Sequence, residues 1–93
     1  MKVDHVDGEN KGHVMLFALS TCVWCKKAKR LLNELGVAYD YVNMDLLDED
    51  QKRDATNAHA RWNPSCSYPT LVINEAKCIV GFDENAIRKA LEK

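Results

Sequence analysis

The chain has 93 residues and a formal net charge of −1, and 46% of its residues are hydrophobic. This length predicts one domain with a small core, and the balanced charge favours neither nucleic acid nor a membrane as a partner. No apolar run is long enough for a membrane span or a secretory signal, so we expect a cytoplasmic protein. In that reducing compartment, its four cysteines are not expected to form a framework of structural disulfides.

The amino-terminal segment differs in character from the rest of the chain. It is polar and lacks hydrophobic periodicity, which predicts a flexible tail over residues 1–12 ahead of a folded domain over residues 13–93. The run Val14 to Leu19 is apolar on both faces and predicts a central strand covered on both sides.

A helix is predicted directly after this strand. Its apolar residues recur at helical spacing, at Ala28, Leu31, Leu32 and Leu35. Ser20 or Thr21 is expected to cap its start, and Gly36 suits the left-handed conformation that ends many helices.

The second half of the chain predicts a strand, a helix, a hairpin and a last helix. These elements are a strand over 37–44, a helix from Asp48 to Asn63, strands over 71–74 and 78–80, and a helix capped by Asp83. The order β-α-β-α-β-β-α belongs to the α/β class, with four strands and three helices.

Cys22 and Cys25 lie three positions apart where the first strand meets the first helix. A helix start offers unpaired N–H groups and the positive end of the helix dipole, and both favour a thiolate. The thiolate is the nucleophilic form of cysteine. One such pair beside a βαβ pattern favours redox chemistry over a metal site or a purely structural role.

A basic run follows the two cysteines directly. It consists of Lys26, Lys27, Lys29 and Arg30. These charges are expected to favour the Cys22 thiolate and to attract anionic partners, although a solvated helix face is the more ordinary explanation of such a run.

Three features, in this order, make the chain similar to the glutaredoxins of the thioredoxin-fold superfamily. They are Cys22-x-x-Cys25 at the start of a helix, Tyr68-Pro69 before the third strand, and Gly81-Phe82-Asp83 before the last helix. The resemblance covers residues 14–92. It implies a thioredoxin-like fold in which three helices flank a four-stranded mixed sheet.

The resemblance also implies roles for the later motifs. Pro69 is expected to be cis and to pack opposite the active-site sulfurs, leaving the backbone of Tyr68 free to pair with an extended substrate. The segment Gly81, Phe82 and Asp83 matches the part of the family that holds the γ-glutamyl end of glutathione. Asp83 is expected to cap the last helix as well.

The chain departs from the family inside the cysteine motif. Val23 and Trp24 stand where the family usually has proline and tyrosine. Trp24 is expected to offer a flat apolar surface to partner proteins. Because Val23 replaces this proline, a second function is also considered, that of an iron–sulfur cluster carrier with glutathione as co-ligand.

Further departures concern glutathione. Leu19 occupies a position where many glutaredoxins have a carboxylate-pairing lysine, and Val80-Gly81 replaces a double glycine. Glutathione is therefore expected to be a weak co-substrate, with Lys26 and Lys27 partly replacing the missing cation.

Three other residues carry lesser predictions. Cys78 is expected to be a small buried hydrophobe, and Trp62 is expected to belong to the core. Cys66 is either a third redox thiol or an exposed bystander. A zinc site made by all four cysteines is the third function considered, and their spacing suits it poorly.

The favoured function is that of a dithiol thiol–disulfide oxidoreductase acting on protein disulfides or protein–glutathione mixed disulfides. Cys22 attacks and Cys25 resolves the mixed disulfide. We expect a monomer with no metal and no tightly bound cofactor. Glutathione or a thioredoxin-reductase-type donor would supply the electrons.

Overall fold

The computed structural model describes residues 3–91, which form a mixed sheet flanked by helices on both faces. The strands are β1 Asp4–Val6, β2 Val14–Ala18, β3 Tyr39–Asn43, β4 Thr70–Ile73 and β5 Lys77–Val80, and the helices are α1 Val23–Leu35, α2 Glu49–Trp62 and α3 Glu84–Leu91. The strand order is β1-β3-β2-β4-β5, with β2 and β3 parallel and the other neighbours antiparallel. The predicted thioredoxin-like fold is confirmed.

The sheet has five strands, so the prediction of four is wrong: the additional strand, β1, lies within residues 1–12, for which the sequence predicts a tail. β1 pairs with β3, and Glu9 makes a further bridge to Val37. His5 Nδ1 lies 2.6 Å from Asp40 Oδ1 on β3. A short exposed edge strand is held by backbone pairing and such polar contacts, which hydrophobic periodicity does not record. Residues 1, 2, 92 and 93 of the predicted tail and domain lie outside the described residues.

Each face of the sheet has its own core. α1 and α3 cover one face, where Leu16, Leu32 and Ile87 are fully buried. α2 covers the other face, where Phe17 and Ala55 pack together. Burying one such large side chain stabilises the fold by about 1.5–3 kcal/mol. β2 is buried on both faces, as its apolar sequence predicts.

The predicted helix ends are confirmed at the end of α1 and at the start of α2. Gly36 ends α1 in the left-handed conformation at φ 70°, and its N–H contacts the carbonyl oxygens of Asn33 and Leu32. Asp48 starts α2 by accepting a hydrogen bond from the Gln51 N–H at 2.8 Å.

None of the helices within residues 3–91 is long and apolar enough to cross a bilayer.

The three lesser predictions, for Trp62, Cys78 and Cys66, agree with the structure to different degrees. Trp62 is half-buried against the core beneath α2. Cys78 is half-buried, less than predicted, because β5 is an edge strand of the sheet; its thiol donates to the Trp62 carbonyl at 3.4 Å. Cys66 is half-buried in the loop after α2, with a left-handed φ of 50°.

Candidate active site

Cys22 is the residue that caps α1, so the prediction of Ser20 or Thr21 as the cap is wrong. The backbone of Cys22 is extended, and its Sγ accepts a hydrogen bond from the Cys25 N–H at 3.2 Å. The sulfur thus takes the place of the usual cap oxygen and lies at the positive end of the helix dipole. The capping role of Cys22 is hard to predict from the sequence, because cysteine is not among the common cap residues.

Ser20 contributes to the site in a different way. Its N–H and its Oγ donate to the two carboxylate oxygens of Asp45, at 2.9 and 2.5 Å. These bonds lower the pKa of Asp45, so this carboxylate is charged at neutral pH. The Ser20–Asp45 contact joins the loop that leads to Cys22 to the segment that follows β3.

The two cysteines of the motif are unequal. Cys22 is half-buried, whereas Cys25 has no exposed surface. Burial, followed by the hydrogen bond with Cys22, raises the pKa of Cys25 to about 12. Both cysteines are free thiols in the structure. At neutral pH, Cys25 therefore keeps its proton, and Cys22 is the sulfur that a solute can reach.

The Tyr68–Pro69 loop lies beside this pair. The Tyr68–Pro69 bond is cis, as predicted, and Pro69 is fully buried. The Pro69 carbonyl accepts a hydrogen bond from the Gly81 N–H at 2.7 Å, which brings the β5–α3 junction to the loop. Burial raises the pKa of Tyr68, and the neighbouring Cys66 and Cys25 thiols raise it further.

A buried polar network supports this loop from α2. The hydroxyl of Thr70 donates to the Ser67 carbonyl at 2.9 Å and accepts from Asn63 Nδ2 at 3.0 Å. His59 Nε2 lies 3.0 Å from the same hydroxyl oxygen. A hydroxyl has one proton to donate, and Thr70 gives it to Ser67, so we assign the imidazole proton to Nε2.

His59 is the central member of the network and has no exposed surface. Its ring stacks on Phe17 with a centroid distance of 4.8 Å and an interplanar angle of 4°, and it contacts Tyr68 at 5.0 Å. His59 Nδ1 has no hydrogen-bond partner, and burial lowers the pKa of the ring. The neutral ring therefore packs beneath the Pro69 loop, a role that the sequence analysis missed.

Exposed apolar side chains lie beside Cys22 in the chain and at the end of β5. Val23, Trp24 and Val80 are 62%, 55% and 53% exposed. Trp24 stacks on Phe82 with ring centroids 6.1 Å apart, and Lys27 Nζ lies 4.4 Å from the Trp24 ring. The predicted exposure of Trp24 is confirmed, whereas Val23 and Val80 were missed because single exposed valines leave no pattern in a sequence.

The residues predicted to hold glutathione lie at this end of the sheet. Lys26 is exposed, and Gly81 adopts φ 80°. Asp83 Oδ1 accepts from the Ala86 N–H at 3.0 Å, which confirms its helix cap. Leu19 packs against the core beneath α2, and this position therefore offers no cation to a glutathione carboxylate. The glutathione contacts themselves stay a prediction.

The other two cysteines do not join the motif. Among residues 3–91, no three His, Cys, Asp or Glu side chains lie together in a group suited to a metal ion. The four cysteines therefore do not form the single four-thiolate centre that was considered from the sequence.

Comparisons with known proteins agree with this geometry. The chain is 50% identical to methanoredoxin of Methanosarcina acetivorans, with a TM-score of 0.89 over 92% of this chain and 90% of that one. It is 47% identical to a glutaredoxin of Methanosarcina mazei Go1, with a TM-score of 0.91 over 100% of this chain and 90% of that one. A glutaredoxin of Vernicia fordii is 32% identical over 71 residues, 76% of this chain and 65% of that protein. The glutaredoxin family model matches residues 14–77, and the chain therefore belongs to the glutaredoxin family.

Proposed function

We propose that the protein is a dithiol thiol–disulfide oxidoreductase that reduces protein disulfides or protein–glutathione mixed disulfides. The observation that carries this proposal is the inequality of the two thiols. Cys22 is accessible at the start of α1, and Cys25 is buried one turn further on, protonated and bonded through its N–H to Cys22 Sγ. Such a pair can attack a disulfide once and then release the product.

The reaction is a double thiol–disulfide exchange. The deprotonated sulfur of Cys22 attacks one sulfur of the substrate disulfide, and the other substrate sulfur leaves as a thiolate with the bonding electron pair. Cys25 then attacks Cys22 Sγ, and its proton passes to the second substrate sulfur as that sulfur leaves. The substrate gains two electrons, and the enzyme is left with a disulfide between Cys22 and Cys25.

The Tyr68–Pro69 loop is the proposed guide for the substrate. Pro69 has no N–H to present beside the sulfurs, and its carbonyl is already bonded to Gly81. The backbone of Tyr68 is left to pair with an extended substrate segment. The exposed Trp24 ring, stacked on Phe82, offers this segment an apolar contact near Cys22.

We further propose that glutathione is a weak co-substrate for this enzyme. No cation replaces Leu19, although Lys26 lies exposed on the same side of the fold as the cysteines. One exposed charge-assisted contact contributes about 1 kcal/mol at most, so its loss weakens binding severalfold. The monomeric protein would act in the cytoplasm, where a thiol or a thioredoxin-reductase-type donor restores both cysteines.

Two single substitutions test the assignment of roles. Cys22→Ser is expected to abolish reduction of an oxidised protein partner. Cys25→Ser is expected to stop at a covalent mixed disulfide through Cys22, which intact-mass spectrometry detects. Cys66→Ser is the matched control and is expected to turn over like the unaltered protein. A covalent adduct on Cys22→Ser that is absent from Cys25→Ser would reverse the two roles.

The electron donor needs a separate measurement. Steady-state turnover is compared between glutathione with glutathione reductase and a thioredoxin-reductase system. We expect slow turnover with glutathione. A rate typical of a dedicated glutaredoxin would refute the weak-co-substrate proposal and leave the dithiol mechanism intact.

A further inference from the structure

The apolar surface beside Cys22 continues into a groove between α1 and α3. The groove has a volume of about 220 Å³ and is lined by Lys27, Arg30, Leu31, Glu34, Phe82 and Glu84. Phe82 belongs both to this groove and to the stack with Trp24. A polypeptide held at Cys22 can therefore lie over the Trp24–Phe82 stack and reach the groove without leaving the surface.

The carboxylates that line the groove lie close to an opposite charge, whereas the cations that line it form no ion pair within residues 3–91. Both of its carboxylates face Arg88, with Glu84 Oε2 2.8 Å from Nε and Glu34 Oε2 3.8 Å from Nη2. Over the described part of the chain, neither Arg30 nor Lys27 forms an ion pair, and Lys27 Nζ lies over the Trp24 ring. With Arg88 counted, the described residues at the groove include three cations and two carboxylates, so their net charge is positive.

This positive charge is local. Residues 23–30 contain four cations and no acidic residue, while the whole chain carries a net charge of −1. Lys29 points elsewhere, since its Nζ donates to Asn43 Oδ1 at 3.2 Å and lies over the Tyr41 ring. Lys27 and Arg30 are thus the cations of the run that line the groove.

We propose that the Trp24–Phe82 stack and the Lys27–Arg30 groove together select polypeptide substrates with an acidic side chain near the reactive cysteine. The substrate class is a disulfide flanked by an aromatic or large apolar residue, which covers Trp24, and by Asp or Glu, which meets the two cations. This inference rests on the proposed function and adds substrate choice to it.

The spacing of the acidic residue follows from helix geometry. Lys27 and Arg30 come five and eight residues after Cys22, which corresponds to about 7.5 and 12 Å along α1 at about 1.5 Å per residue. An extended substrate covers about 3.3 Å per residue. The acidic side chain therefore belongs about two to four positions from the reactive cysteine.

The test uses short peptides whose single cysteine is joined to 2-nitro-5-thiobenzoate, a coloured leaving thiol. Glu, Gln or Lys stands three positions from the cysteine in otherwise identical peptides. The reduced protein itself supplies the electrons, and the second-order rate of colour release is measured at low and high salt. We expect the rates to fall in the order Glu, Gln, Lys, by about threefold per step at low salt and less at high salt.

Reversing the charge of one residue tests whether the preference for acidic peptides arises in the groove. Arg30→Glu is expected to abolish or invert the order of the three peptides when each rate is divided by the same variant's rate with an uncharged small disulfide. Arg53→Glu makes the same change on α2, across the sheet from the groove, and is expected to keep the order. Equal effects of both variants would overturn the inference, because the preference would then reflect overall charge.

The outcomes separate the inference from the proposed function. Equal rates for all three peptides, with ready release of the leaving thiol, would refute the charge selection and leave the oxidoreductase intact. No release from any peptide or from the small disulfide would refute the oxidoreductase itself. Trp24→Ala is expected to lower the rates of peptides with an aromatic neighbour by a larger factor than the rate with the small disulfide, and equal loss on both would count against the apolar contact.

Discussion

Replacing His59 with phenylalanine tests whether a neutral buried imidazole supports the Pro69 loop. The ring of His59 is fully buried, stacked on Phe17, and bonded to Thr70 through Nε2. Phenylalanine keeps the flat ring and the stack but removes the hydrogen bond and the group that titrates. At pH 7.5, we expect His59→Phe to lower the free energy of unfolding by about 1 kcal/mol, the net contribution of one hydrogen bond.

The informative quantity is the pH dependence of that difference. Burial lowers the pKa of His59 below its ordinary value of 6.5. The unfolded chain then binds the proton more readily than the folded protein. The stability that depends on the neutral ring is fully present above pH 6.5 and is lost as pH falls through the folded pKa. Protonation would put a proton on Nδ1, which has no acceptor in the structure.

The expected size follows from proton linkage. One proton changes the free energy of unfolding by about 1.4 kcal/mol per pH unit in the window where only the unfolded state binds it. Between pH 6.5 and 5.5, the unaltered protein should therefore lose up to about 1 kcal/mol relative to His59→Phe. For a domain of this size, that corresponds to a melting-temperature change of about 4–8 °C.

Thermal unfolding of both proteins at pH 7.5, 6.5 and 5.5 provides the measurement. A constant packing penalty from the larger ring cancels in the comparison across pH, and so do the other titrating groups that both proteins share. His59→Gln, which cannot titrate but keeps a donor for Thr70, should show the same pH dependence as His59→Phe. A melting-temperature difference that does not change with pH would refute the reasoning.

Three further outcomes follow from the structure. Iodoacetamide at pH 7 should alkylate Cys22 well before Cys25, whose pKa burial raises to about 12; peptide mapping that finds Cys25 labelled first would contradict this. Leu19→Lys should raise turnover with glutathione severalfold and leave peptide disulfides unaffected, and equal gains on both would exclude carboxylate pairing. Gly36→Ala should cost about 1 kcal/mol in chemical denaturation, because φ is 70° while the added methyl meets nothing within 4 Å; a much larger loss would imply a packing role.

The features that could be predicted from the sequence are those fixed by local chemistry. Gly36, Asp48 and Asp83 act within one helical turn of their own position, and the structure places each at the helix end expected of it. The two motif cysteines differ in burial because Cys22 is the extended residue before the first turn of α1, whereas Cys25 lies within that turn.

The features that were missed depend on partners distant in sequence. β1 is held by pairing with β3, about 35 residues away, and its three residues carry no periodic signal of their own. His59 lies on the inner face of α2 with Ala55, four positions apart, but a polar residue at an apolar position gives no hint of its partners. Only the fold shows that Phe17 and Thr70 complete its environment.

The departures from the family motif at Val23 and Trp24 involve side chains that do not hold the sulfurs or the Pro69 loop in place. The Cys25 N–H bonds to Cys22 Sγ, and the Gly81 N–H bonds to the Pro69 carbonyl. Val23 and Trp24 point outward and take no part in either bond. Substitution at these two positions therefore changes the exposed surface beside Cys22 while the sulfurs stay in place. Under the proposed mechanism, substrate choice can vary within this fold while the exchange chemistry stays the same.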